Sequence, residues 1–390
     1  MTTGIKDRVA VAGVGATRFT EHYEKDQEDL LVEAVEEACQ DAGIERKQIQ
    51  AMWVGVYYRF TGLSGTTAAD ATRLYGIPST RVENYCASGM DAFRNACFAV
   101  AAGVYDIVLA CGVEKITDQG SRGLPNVLRD SIPPFMPPAS APALFAMAAT
   151  RAFAERGWTR DDLARVAVKN HANGAKHPNA HFRREITMET ALEAPMIAWP
   201  LGRFDSCAVS DGAAAVIITR PEIAKTLNHK DDFTVVKANA LAVTTSNPMH
   251  DPTCDYLGFR ATRMAAKQAY EEAGVTDPAR QISFAEVHDC FTITEILNYE
   301  DLGFCAPGEG ADFIRDGRSA ADGDLPVNPS GGLKSFGHPI GATGCRMIGE
   351  VTRQLQGRAQ GIQVKDPELG LAHNLGGPGA VCSVTILGRN

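Results

Sequence analysis

Cys86 stands in the run Glu83-Asn84-Tyr85-Cys86-Ala87-Ser88-Gly89-Met90, where an Ala-rich helical pattern begins. The first N–H groups of a helix lack intrahelical partners and the helix dipole is positive there, so a thiolate at Cys86 is expected to be stabilised and its pKa lowered. Phe93, Ala96, Cys97, Val100 and Ala101 recur at helical spacing and predict a buried helix ending near Gly103, followed by a strand over Asp106–Gly112. A lone cysteine before a helix is more often simple packing. Three other segments tip the balance. Glu286-Val287-His288-Asp289-Cys290-Phe291 links a strand-like run to a helix over Thr292–Asp301. Residues 331–344, GGLKSFGHPIGATG, form a glycine-rich loop around His338. His373-Asn374-Leu375-Gly376-Gly377-Pro378-Gly379 precedes a final strand over Val381–Leu387.

These four segments, with Lys169-Asn170-His171 and the Ser210–Val216 run between them, resemble the thiolase superfamily in content and order, and specifically its sterol-carrier-protein type. The resemblance runs almost end to end. It implies cleavage of a 3-oxoacyl-CoA to an acyl-CoA plus acetyl-CoA or propionyl-CoA, or the reverse Claisen condensation, through an acyl-enzyme on Cys86. It further implies that His338 activates Cys86 and helps polarise the thioester oxygen, with His288 completing that oxyanion hole. The N–H groups of Gly376 and Cys86 would form the second oxyanion hole. Many thiolases carry a terminal Cys-x-Gly thiol, but here the aligned residue is Asn374, so Cys290 becomes the candidate second acid/base and Cys382 its competitor. Ser335, Gly337 and Asn374 are expected to contact substrate. Coenzyme A enters as a substrate and no permanently bound cofactor is implied.

The elements that must carry these groups show a faint repeat. In Leu31–Val54, Ala34, Ala38 and Ala42 run to Gly43 and a strand follows; in Ala265–Val287, Ala265, Ala269 and Ala273 run to Gly274 and a strand follows. Each copy is helix, glycine stop and strand, as expected of duplicated mixed α/β halves with helices on both sheet faces. The resemblance implies an α/β thiolase fold in a layered αβαβα arrangement: residues 1–115 and 206–232 form the N-terminal half, 116–205 an inserted loop domain and 233–390 the C-terminal half. The inserted stretch has its own texture, with Pro133, Pro134, Pro137, Pro138 and Pro142 clustered before two helical patterns and a polar run. Ser206–Ile218 then reads as a helix and a strand. Long insertions of this kind often serve as lids or binding surfaces.

Composition excludes several classes. With 45% hydrophobic residues, the 390-residue chain can bury a large core, and no apolar run reaches membrane-spanning length. The polar N-terminus does not read as a secretory signal, and the final Gly388-Arg389-Asn390 is not a peroxisomal address, so a cytoplasmic protein is expected. Ten cysteines without CxxC pairs suit a reducing compartment. A net charge of −9 provides no global field for nucleic acid or an anionic membrane, so an anionic ligand must be held locally; Arg183, Arg184 and Arg203 are candidates, although solvated surface is the preferred reading for each. His171, His177 and His181 fall close together, but the Asn, Gly and Pro between them offer no helical face for a metal, and no metal site is expected. The resemblance also implies a homodimer or dimer of dimers, with the possibility of an OB-fold partner protein. Two other classes share the scaffold: a thiolase-like retro-aldolase or C-acyltransferase working with such a partner, and a non-catalytic acyl-CoA-binding protein. The retro-aldolase and the non-catalytic protein do not need Cys86, His338 and Cys290 together, whereas a C-acyltransferase uses the same covalent intermediate.

Overall fold

The computed structural model describes residues 4–58, 63–119, 140–245 and 253–390. The first part of the chain runs β1 (Ala10–Ala16), α1 (Gln27–Ala42), β2 (Met52–Gly55), α2 (Gly65–Thr72), β3 (Ser79–Val82), α3 (Ser88–Ala101) and β4 (Ile107–Glu114). An excursion follows: α4 (Ala141–Arg156), α5 (Arg160–Gly174), α6 (Met188–Leu192) and a hairpin of β5 (Met196–Ala198) and β6 (Leu201–Gly202). The chain returns through β7 (Gly212–Thr219) and α7 (Pro221–Ala224). The second half comprises β8 (Thr234–Val243), α8 (Arg260–Ala273), α9 (Pro278–Gln281), β9 (Phe284–Val287), α10 (Thr292–Asp301), α11 (Gly310–Arg315), α12 (Gly332–Phe336), α13 (Ile340–Leu355), β10 (Leu369–Gly376) and β11 (Val381–Arg389).

The strands are ordered β3-β2-β4-β7-β1 in the first half and β8-β11-β10-β9 in the second. A short β1–β8 pairing, Ala10 with Val235 and Val11 with Thr234, joins them into one hydrogen-bonded sheet of nine strands. Each half is mixed: β2 pairs in parallel with β3 and β4, and β9 with β10, while β7 and β11 pair antiparallel with both their neighbours. Helix α1 covers β1 and β7 from outside, and α8 covers β8 and β11. Between the halves α3 and α13 pack on each other, with α13 touching both β4 and β10, which makes the layered αβαβα arrangement.

The repeat has a structural cause. Both α1 and α8 stop at a left-handed glycine, Gly43 (φ 73°) and Gly274 (φ 80°), where a side chain would be strained. Both then lead into a strand parallel to its neighbour, β2 and β9. The expected helix within Ser206–Ile218 is absent: this run is irregular until β7 begins. Its backbone is drawn into tertiary pairings instead, Cys207 N–H to Cys290 C=O at 2.8 Å and Asp211 N–H to Thr20 C=O at 2.8 Å, which override local propensity. The cluster Pro133–Pro138 lies outside the described residues.

The central helices meet almost backbone to backbone. A Cβ on Gly344 of α13 would lie 2.1 Å from the Met90 nitrogen, and one on Gly89 of α3 would lie 2.4 Å from the Gly341 carbonyl oxygen. Glycine at these positions lets the two N-termini approach closely enough for what precedes each helix to share one site.

Candidate active site

The turn before α3 holds Cys86 in a strained frame. Tyr85 has φ 51°, a left-handed conformation that is costly for a bulky residue. Local hydrogen bonds hold it there: Tyr85 N–H donates to the Glu83 carboxylate at 2.7 Å, and the Ser88 hydroxyl donates to Tyr85 C=O at 2.5 Å while accepting from Asn84 N–H at 2.9 Å. The Asn84 amide in turn donates to Asp91 at 2.7 Å, anchoring the turn to the first turn of α3.

His338 lies just before α13. Its Nδ1 is 2.7 Å from the Thr343 hydroxyl, which spends its own proton on the Pro339 carbonyl at 2.9 Å. Nδ1 therefore donates and Nε2 carries the lone pair. Nε2 is buried and has no hydrogen-bond partner among the described residues. His288, between β9 and α10, receives the Asn374 amide on Nδ1 at 3.0 Å, which leaves its Nε2–H as a donor. The two imidazoles meet edge to face with centroids 5.1 Å apart. One ligand-type atom from each of Cys86, His288 and His338 lies within 4.8 Å of the others, the only such cluster with metal-ligand spacing among the described residues. The same spacing serves proton transfer and oxyanion binding.

Cys290 lines the same small cavity as Cys86 and His338, walled by Phe145, Phe291 and Ile340. Cys382 does not reach it: its side chain is buried in β11 behind α8, beside Thr262. Glu114, at the end of β4, accepts N–H groups from Tyr57, Tyr58 and Gly341 and so ties the start of α13 to the first half. Burial pushes its carboxyl up to about 7.

The electrostatics correct one expectation. Cys86 keeps partial exposure, yet loss of water around its sulfur pushes the thiol up to about 12; the N–H groups of Gly377 and of Cys86 itself pull downward without prevailing. Burial, and then the charge of Arg346, hold His338 down to about 3. Burial and the neighbouring His338 hold His288 well below its ordinary value. The resting pair is therefore a neutral thiol beside a neutral imidazole, because desolvation outweighs the helix-start field. Burial also raises Cys290 well above the usual thiol range.

Other expected residues have specific places. The amide bonded to the Cys86 sulfur belongs to Gly377, whereas Gly376 packs against the turn: a Cβ there would lie 2.8 Å from the Asn84 carbonyl oxygen. Ser335 lines neither cavity, and its hydroxyl donates to the Phe182 carbonyl at 2.8 Å. Gly337 (φ 111°) leaves room for the Ser210 hydroxyl, 2.6 Å from where a Cβ would stand. Asn374 acts on His288 rather than lining either cavity. His171, His177 and His181 turn to different partners, Arg184 C=O, Glu350 and the Ser210 hydroxyl. Arg183 and Arg184 are exposed; Arg203 is exposed at a second, larger cavity of about 840 Å³ that also touches His338.

The sequence reading missed Thr343, Cys207 and Lys334. Thr343 lies in the quoted glycine-rich run, five residues after His338 and one helical turn after Pro339, and this spacing was a readable signal. Cys207 had none, since a pairing remote in sequence brings it to Cys290.

Comparison with known proteins agrees with this fold. A family model described as the thiolase N-terminal domain matches residues 9–222, and one described as thiolase C-terminal domain-like matches residues 242–389. An acetyl-CoA acetyltransferase of Methanothermobacter thermautotrophicus is 42% identical over 388 residues, covering 98% of this chain and 99% of that one. Sterol carrier protein 2 of Gallus gallus is 32% identical over 96% of this chain and 70% of its own length. Among solved structures, the Ltp2-ChsH2(DUF35) aldolase superposes with a TM-score of 0.87 at 28% identity, covering 99% of this chain and 98% of that one.

Proposed function

The chain belongs to the thiolase superfamily, and we propose that it transfers an acyl group between carbon and the thiol of coenzyme A through Cys86. It is an acyltransferase that uses coenzyme A as a substrate and holds no permanent cofactor. The observation that carries the assignment of roles is the convergence of Cys86, His288 and the unpartnered Nε2 of His338 where α3 and α13 meet.

In thiolysis the Cys86 sulfur attacks the 3-oxo carbon while its proton passes to His338 Nε2. The oxyanion forms against the backbone N–H groups beside Cys86, with Gly376 and Gly377 the candidates. Collapse breaks the C2–C3 bond, and the departing enolate, its thioester oxygen held by His288 Nε2–H and His338, takes a proton from Cys290. The coenzyme A thiol then gives its proton to the Cys290 thiolate and attacks the acyl-enzyme. Cys86 leaves as a thiolate and recovers its proton from His338. Because the resting pair is neutral, proton transfer accompanies attack.

The same proposal extends to cytoplasmic breakdown or synthesis of fatty acyl or steroid chains by a homodimer. Among the described residues no helix is long and apolar enough to cross a membrane. The likeness to the Ltp2-ChsH2(DUF35) aldolase favours a second reading, in which the chain works with a DUF35 partner as a retro-aldolase. Intact-mass measurement after incubation with acetoacetyl-CoA separates the two. The thiolase reading expects an added acetyl mass located on Cys86 and absent from Cys86→Ala; acylation elsewhere, or none, would remove it.

A further inference from the structure

Four Lys and Arg residues are buried among the described residues: Lys115, Lys334, Arg346 and Arg353. Three face a carboxylate: Lys115 lies 3.1 Å from Asp211, Arg346 2.8 Å from Glu286 and Arg353 2.7 Å from Glu37. Of the four, Lys334 alone has no carboxylate within ion-pair distance among the described residues. Its Nζ makes one hydrogen bond, to His171 Nε2 at 3.3 Å, and faces the rings of Phe182 and Phe204 with centroids at 5.5 and 5.7 Å. His171 is neutral in this contact, since its Nδ1–H is spent on the Arg184 carbonyl at 3.0 Å.

The acids nearby are already engaged. Asp205 takes the Thr292 hydroxyl and Gly202 N–H, both at 2.7 Å. Asp289 takes the N–H groups of Leu333 and Lys334 and the Asn170 amide. Lys334 meanwhile lines the large cavity of about 840 Å³, which His338 also lines and whose walls include Phe182, Phe204, Phe291 and Ile197. A buried ammonium with two aromatic faces and one neutral acceptor retains most of its desolvation cost. Burial accordingly draws its pKa down to about 8, with Cys207, Asp289 and Asp205 acting the other way.

We infer that Lys334 is a specificity residue whose ammonium receives a carboxylate carried on the acyl part of the substrate, so that the preferred thioesters are those of dicarboxylic acids. The inference rests on the thiolase reading for its substrate class. A carboxylate fits better than an amide carbonyl of the coenzyme arm because it supplies the missing charge, and the aromatic walls accommodate the methylene chain between the two ends.

The test reads binding, so it does not depend on turnover. Glutaryl-CoA is compared with pentanoyl-CoA, and adipyl-CoA with hexanoyl-CoA, by calorimetry on Cys86→Ser protein, which cannot form the cysteine acyl-enzyme. The carboxylated member of at least one pair should bind about tenfold tighter or better. Adding Lys334→Met should remove that preference, leaving pentanoyl-CoA, hexanoyl-CoA and free coenzyme A within about threefold of their former affinities. Equal affinity within both pairs on the Lys334 protein overturns the inference whether or not the variant folds. So does a Lys334→Met loss that is the same for all ligands, which would place Lys334 on the coenzyme arm. Acetoacetyl-CoA thiolysis by the unaltered protein is measured alongside; its absence would count against the thiolase reading and leave the binding comparison intact.

Discussion

At the scale of the residue, the site is a set of neutral groups awaiting charge. Burial holds the Cys86 thiol near 12 and His338 near 3. Over roughly pH 6 to 9, alkylation of Cys86 by iodoacetamide should therefore rise about tenfold per pH unit, following the thiolate fraction. A plateau near neutrality would instead reveal a preformed thiolate–imidazolium pair. Replacing His338 by Ala should cost thiolysis about a hundredfold or more, the usual scale for a lost general base, while Cys86→Ala should abolish acyl-enzyme formation. The two candidate acid/base thiols separate cleanly. Cys290→Ala should still be acylated by a simple acyl-CoA, yet exchange of acetyl-CoA α-protons with deuterated solvent should fall about a hundredfold. Cys382 lies in β11, away from the cavity, and Cys382→Ala should leave exchange nearly unchanged. The reverse pattern would transfer the role to Cys382.

At the scale of the element, activity depends on how closely α3 and α13 cross. The Gly344 position faces the Met90 backbone, which cannot move aside as a flexible side-chain tip would. Gly344→Ala should therefore cost about 1–3 kcal/mol in denaturant unfolding, the range for overpacking, and should also depress turnover by separating Cys86 from His338. Gly157, which closes α4, is a useful control, since a Cβ there meets nothing within 4 Å. Its φ of 65° still makes Gly157→Ala mildly strained, but the effect should stop at stability. If Gly344→Ala has wild-type stability and turnover, the close crossing is not what assembles the site.

At the scale of the whole molecule, the half-exposed β3 stands at the free end of the first half's sheet and is the strand expected to pair across a two-fold axis. Light scattering at micromolar concentration should show a dimer or tetramer, and a monomer alone would refute the pairing. Much of this architecture was legible beforehand. The 3.6-residue spacing after Cys86, the glycine stops at Gly43 and Gly274 and the helix over Thr292–Asp301 are local signals, written by backbone sterics and side-chain periodicity, and the observed elements follow them closely. The ordered motifs around Cys86, His288, His338 and Asn374 also carried the family. Desolvation was not legible, because it depends on everything packed around a group: it reversed the expected shift of Cys86. Side-chain direction was equally hidden within the loop at 331–344. Ser335, expected at the substrate, turns its hydroxyl to the Phe182 carbonyl, while the adjacent Lys334, for which the sequence signalled no role, lines the cavity. Local propensity determines where elements start and stop; only the packed tertiary structure decides what each side chain faces and how much water it keeps.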